Sequence, residues 1–285
     1  MDIPSLNFTP DELKKAVNQA RIAAEAFASE EDLKLALSCI DLTTLNPTDT
    51  VSFVTSFVHK VNRFSVVYPD LPGVAAVCVY PNMVSTVKET LGSGEIKIAS
   101  VAGGFPSSMT FPEIKIEEAK RAVMEGADEI DIVLPLWAFL DGNQELCIRE
   151  ISNIKNSIGD AHLKVILESG LLAEPEKIWQ ASVLALSAGA DFIKTSTGKL
   201  SPAATPEAAY VMSRAIGWWH ETTGEKRGFK PAGGISEAKD AMVYLNIVRN
   251  TLGTDWLDNS LFRIGASRLA NNLLSVLFNK QISHF

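Results

Sequence analysis

The chain has 285 residues, 46% of them hydrophobic and 21% charged: enough length for a large core, and too apolar for disorder. With 26 Lys and Arg against 34 Asp and Glu, the net charge of −8 argues against a broad nucleic-acid or anionic-membrane surface. At roughly 150 residues per domain two domains would fit, but a single α/β barrel runs to about 250 residues.

The opening MDIPSLNFTPDELKK carries acids and a proline where a signal peptide needs bases and an apolar stretch. No uninterrupted apolar run approaches the ~18 residues of a membrane span. Three cysteines, Cys39, Cys78 and Cys147, lie far apart with no C-x-x-C, so a buried, reduced role and a cytoplasmic setting are expected. Thr9, Pro10 and Glu12 form an N-terminal capping signal. Apolar residues then recur through Leu13, Val17, Ile22 and Phe27. This predicts a helical extension over about residues 1–35.

Short β-rich apolar runs follow at 38–42, 75–80, 96–102, 129–134, 163–168, 191–196, 227–232 and 262–266. Between them lie helical stretches at Pro81–Leu91, Pro112–Glu125, Glu145–Ile158, Pro175–Ala188, Pro206–Trp219 and Ser236–Asn250. Gly126-Ala127-Asp128 and Gly189-Ala190-Asp191 place a helix-ending glycine just before a strand. Eight βα units without a long linker predict one α/β domain over 1–285, a (β/α)8 TIM barrel with an extra N-terminal helix. A doubly wound sheet is the rival. Its glycine fingerprint fails at Gly92-Ser93-Gly94, and Thr197-Gly198-Lys199 lacks the upstream glycine of a P-loop.

In a barrel the C-terminal strand ends face the active site, so polar residues there matter most. Lys194 sits inside the apolar sixth strand and Lys230 inside the seventh. A single strand lysine could snorkel to solvent. Two on neighbouring strands are hard to explain as structure. Adjacent ammonium groups depress one another's pKa and free an amine to attack a carbonyl. In the fourth strand, period two puts Glu129, Asp131 and Val133 on one face. Asp131 can then meet Lys194 and move protons, whereas Asp128 and Glu129 read as solvated strand-entry charges. Glycine-rich loops after strands seven and eight (Gly233-Gly234; Gly265-Ala266-Ser267), with Thr197, Gly198 and Lys199, suit a phosphate through backbone N–H groups. Arg268, just inside the last helix, is expected to face outward and cover apolar surface with its stem. His59, His162, His220 and His284 show no metal-ligand spacing.

The segments around Asp41-Leu42-Thr43-Thr44-Leu45-Asn46, Val77-Cys78-Val79-Tyr80-Pro81, Gly126 to Asp131, Ala190 to Lys199, Gly228 to Gly234 and Phe262 to Ser267 resemble the deoxyribose-phosphate aldolase family. The resemblance runs from about Asp41 to Leu274, most specifically around Lys194 and Lys230. It implies a class I aldolase that reversibly splits 2-deoxyribose 5-phosphate into acetaldehyde and glyceraldehyde 3-phosphate. It also implies Lys194 as the Schiff-base lysine, Asp131 and Lys230 as proton-handling partners, and no metal or other cofactor. The sequence departs from family members at Arg268, where many relatives carry serine. It also departs at Ala102-Gly103-Gly104-Phe105-Pro106 and in the Gln281–Phe285 segment, which lacks a terminal tyrosine. Implied partners are small phosphorylated sugars or aldehydes, not nucleic acid or membrane. Trp218-Trp219 leaves a homo-oligomer open, with burial under the N-terminal helix the plainer account. Two alternatives stand beside the aldolase: another phosphate-binding barrel enzyme, and a barrel retained mainly as a protein-binding partner.

Overall fold

The computed structural model describes residues 3–25, 28–92 and 94–285. Phe27 of the predicted apolar stripe and Ser93 of the rejected glycine phrase lie outside these. The eight strands are β1 (Ile40–Thr43), β2 (Ala76–Val79), β3 (Lys97–Val101), β4 (Glu129–Val133), β5 (His162–Ile166), β6 (Phe192–Lys194), β7 (Gly228–Lys230) and β8 (Ile264–Ala266). All pair in parallel in the order β7-β6-β5-β4-β3-β2-β1-β8. Parallel bridges from Phe229 to Phe262 and from Ala232 to Gly265 join the two ends. The result is a nearly closed (β/α)8 barrel.

Strands covered on both faces read as near-continuous apolar runs, which is why each was legible as a short Val/Ile/Leu-rich segment. The last strands are shorter than their apolar runs: β6 stops at Lys194 and β8 starts only at Ile264. Beyond β6 the backbone leaves the regular ladder yet stays attached, Thr195 N donating to the Lys230 carbonyl at 3.1 Å. In the repeated Gly-Ala-Asp phrase, Gly126 and Gly189 end helices at positive φ. The following aspartate then accepts a strand N–H: Asp128 from Ile98 and Asp191 from Leu163, each at 2.8 Å.

The first helix, Pro10–Glu25, begins at the expected cap, Thr9 N donating to Glu12 Oε2 at 2.6 Å. Its buried stripe is Val17, Ala20 and Ala24. Ile22, expected on that stripe, is 71% exposed; the apolar face follows the small alanines that allow close helix packing. The neighbouring Arg21 pairs with Glu207 at 3.0 Å across to helix Pro206–Thr223. Trp218 is half-buried against Trp179, whose indole N–H donates to the Pro4 carbonyl at 2.7 Å. Cys39, Cys78 and Cys147 are free and buried. Among the described residues, no helix is long and apolar enough to cross a membrane.

Candidate active site

β6 and β7 pair in register so that Lys194 lies opposite Lys230, each the last residue of its strand. Both amines reach one carboxylate oxygen: Lys194 Nζ and Lys230 Nζ are each 2.8 Å from Asp131 Oδ2. Period two along β4 aims Asp131 into the barrel, and the layering of alternate strands brings it to Lys194. All three side chains are buried; Asp131 and Lys230 are fully so.

Beneath this trio lies a second charged tier that the sequence reading did not single out. Lys164 of β5 donates to Asp131 Oδ1 at 2.8 Å and lies 2.6 Å from Glu129 Oε2 and 3.8 Å from Asp41 Oδ2. Arg263 bridges Asp41 Oδ1 at 2.7 Å and Glu129 Oε1 at 2.8 Å. Lys230 also pairs with Asp41. Glu129 is therefore a buried ion-pair partner inside the barrel and not a solvated strand-entry charge; Lys164 meets it from the neighbouring strand and Arg263 from across the barrel floor. Asp128 is exposed, as expected. The missed residues carried the same signal as Lys194, a charge inside an apolar strand: Lys164 in LKVILE, Arg263 in FRIGA and Asp41 in SCIDL.

This surrounding splits the two lysines. At Lys194, burial together with the Lys230 charge outweighs Asp131, so its pKa falls below the ordinary lysine value. At Lys230 burial opposes the charge as well, but Asp131 and Asp41 overcome it and the pKa rises. Asp131 is also opposed by burial, yet Lys164, Lys194 and Lys230 hold its carboxyl well below the usual range. Mutual depression of both lysines was the expectation; the carboxylates instead raise the pKa of Lys230 and leave that of Lys194 lowered.

Lys194 opens onto a cavity of about 590 Å³, whose wall also includes Thr197, Gly198, Lys199, Gly233, Gly234, Gly265 and Ser267. All seven residues proposed for phosphate binding thus share one space with the lysine, while Asp131 and Lys230 lie behind it. The loops after β6 and β7 interlock. A Cβ on Gly233, where φ is 88°, would stand 2.7 Å from Ala203 Cβ and 3.0 Å from Gly198 Cα. On Gly265 it would stand 3.2 Å from Lys230 Cε. Thr197 is held from below by Glu168, its hydroxyl donating to Oε2 at 2.6 Å. Glu168 is buried and left-handed at φ 51°, a strained backbone of the kind found where a site is shaped. Arg268 is exposed, in keeping with the expectation, and stands at the edge of the cavity wall as the N-cap of helix Leu269–Leu277. Phe285 lines the same cavity and stacks on Phe64 with ring centres 5.3 Å apart.

Residues 35–249 match the model of the DeoC/LacD family aldolases. The chain belongs to this family. It is 43% identical over 264 residues to a deoxyribose-phosphate aldolase of Homo sapiens, covering 87% of this chain and 80% of the relative. It is 42% identical over 264 residues to the one of Bos taurus, with the same coverage. Among solved structures, the deoxyribose-phosphate aldolase of Aeropyrum pernix, described as a unique tetramer, superimposes with a TM-score of 0.67 at 26% identity. That alignment covers 92% of this chain and 97% of the other. The aldolase family thus accounts for most of the chain's length, and its matched segment contains β1 to β7 with Lys194, Asp131 and Lys230.

Proposed function

We propose that this aldolase reversibly cleaves 2-deoxyribose 5-phosphate to acetaldehyde and glyceraldehyde 3-phosphate, with Lys194 as the Schiff-base nucleophile. The observation that carries the reading is a buried amine, its pKa lowered, opening onto a cavity rimmed by glycine loops. The neutral Lys194 amine attacks C1 of the open-chain sugar, and loss of water leaves an iminium. That cation is an electron sink. Deprotonation of the C3 hydroxyl then breaks the C2–C3 bond, releasing glyceraldehyde 3-phosphate and leaving an enamine. Protonation at C2 and hydrolysis free acetaldehyde and restore the lysine. In this reading Asp131 relays protons between Lys194 and Lys230 during carbinolamine collapse; its 2.8 Å contacts to both amines support the role.

The phosphate would be held at Thr197, Gly198, Lys199, Gly233, Gly234, Gly265 and Ser267, mostly by backbone N–H groups. In this reading residues 1–285 form one catalytic domain working in the cytosol on small phosphorylated aldehydes, and a homo-oligomer is compatible with it. The test is product formation. Purified protein with 2-deoxyribose 5-phosphate should release glyceraldehyde 3-phosphate and acetaldehyde in equal amounts, each measured by a coupled dehydrogenase. Absence of both products, with the fold intact by circular dichroism, would refute the assignment.

A further inference from the structure

Inside the barrel the described residues set four side-chain cations against three carboxylates. Lys164, Lys194, Lys230 and Arg263 face Asp41, Glu129 and Asp131, and all seven are buried. Among the described residues no further charged side chain forms an ion pair with this cluster. β2 presents the Cys78 thiol, whose pKa burial raises, and β3 presents only Ala99 and Val101. Above the cluster Glu168 turns to Thr197, and Lys199 donates to the Leu45 carbonyl.

A desolvated cluster with one cation too many is costly, and losing a proton relieves it. Arginine does not give up its proton, so one of the three lysines must. Their carboxylate partners differ. Lys164 contacts three (Asp41, Glu129 and Asp131) and Lys230 two (Asp41 and Asp131), whereas Lys194 has Asp131 alone. Lys194 is also the one lysine of the cluster that lines the cavity.

We propose that Arg263, which is absent from the cavity wall, is a positioning residue for the reaction: by occupying Asp41 and Glu129 it leaves Lys194 as the surplus amine. Arg263 acts through charge count, at a distance from substrate. Its two carboxylates would otherwise be available to the lysines, and all three amines could stay charged. The inference rests on the Schiff-base reading above, and the experiment separates the two.

The readout is the acidic limb of kcat/KM for sugar cleavage, together with the pH dependence of borohydride trapping of acetaldehyde on Lys194. Arg263→Met evens the count at three to three, and should move the acidic limb up by about one pH unit or more, with about a tenfold loss at neutral pH. Arg263→Lys keeps the charge and should hold the limb near its original place. Adding Glu129→Gln to Arg263→Met restores the surplus and should bring the limb back down, which no simple loss of packing would do. Glu129→Gln alone should move it below the wild-type position. If Arg263→Met fails to fold by circular dichroism, the downward shift in Glu129→Gln decides. Limbs that do not move in the folded variants, while wild type is trapped on Lys194, overturn the role of Arg263 alone. Wild type that is not trapped on Lys194 overturns the Schiff-base reading itself.

Discussion

Two buried charge clusters in this molecule solve the same problem differently. Lys115, in helix Pro112–Met124, donates to Glu150 Oε1 at 2.6 Å and to Ser108 Oγ at 2.8 Å, with both charged side chains nearly fully buried. One cation meets one carboxylate, and a hydroxyl takes another of the ammonium's protons. The pair ties helix Pro112–Met124 to helix Gln144–Ser157, Ser108 adds the loop after β3, and all three residues lie outside the cavity wall. Inside the barrel, four cations share three carboxylates, and the amine with the fewest partners faces the open space. A balanced buried pair fixes structure; an unbalanced cluster leaves one proton loosely held. The difference lies in the count and arrangement of partners, since burial is nearly the same in both.

Substitutions can break this contrast. The largest effect is expected for Lys194→Met, which nearly preserves side-chain length but removes the amine; turnover in the coupled assay should vanish while the circular dichroism spectrum is kept. Asp131→Asn keeps the shape and removes the proton acceptor, so kcat should fall by roughly 10²–10⁴. Lys115→Met tests the other cluster. Stranding the Glu150 carboxylate should cost about 3–5 kcal/mol of unfolding free energy, read by urea titration. The acidic limb of kcat/KM should stay where it is. A shifted limb in that variant would mean that the two clusters are electrostatically joined.

Smaller effects belong to the rim. Gly234 has φ 79°, a conformation side chains rarely adopt. Gly234→Val should therefore raise KM for 2-deoxyribose 5-phosphate by roughly ten- to hundredfold, the worth of a charge-assisted hydrogen bond. Unphosphorylated deoxyribose should be little affected. Arg268→Ser should be milder still, because the side chain is exposed and screened. A severalfold rise in KM for the phosphorylated sugar, larger at low salt, is expected from steady-state kinetics in two buffers.

Much of this was legible before any coordinates. The eight strands announced themselves as apolar runs, and the two strand lysines and the strand carboxylate picked out with them meet at one point inside the barrel. The supporting tier was harder to read, for a physical reason. In a strand buried on both faces, alternation does not say which face points into the barrel. Glu129 shares the Asp131 face by period two, but as the first residue of its strand it resembled a solvated entry charge, and Lys164 and Arg263 were not weighed. Lys164 meets Glu129 from the neighbouring strand β5, whereas Arg263, just before β8, reaches Glu129 of β4 only because the sheet curls into a barrel. Glu168 was hidden differently: its contact with Thr197 depends on a left-handed turn at a non-glycine residue, which composition does not announce.

The most direct measurement is the location of the covalent adduct. Wild-type protein incubated with acetaldehyde near neutral pH, reduced with borohydride and digested, should carry its ethyl group on the peptide that contains Lys194, by tandem mass spectrometry. Lys230, held charged by Asp131 and Asp41, should be unmodified under the same conditions. An adduct on Lys230, or equal labelling of both lysines, would contradict the assignment of Lys194 as the free amine.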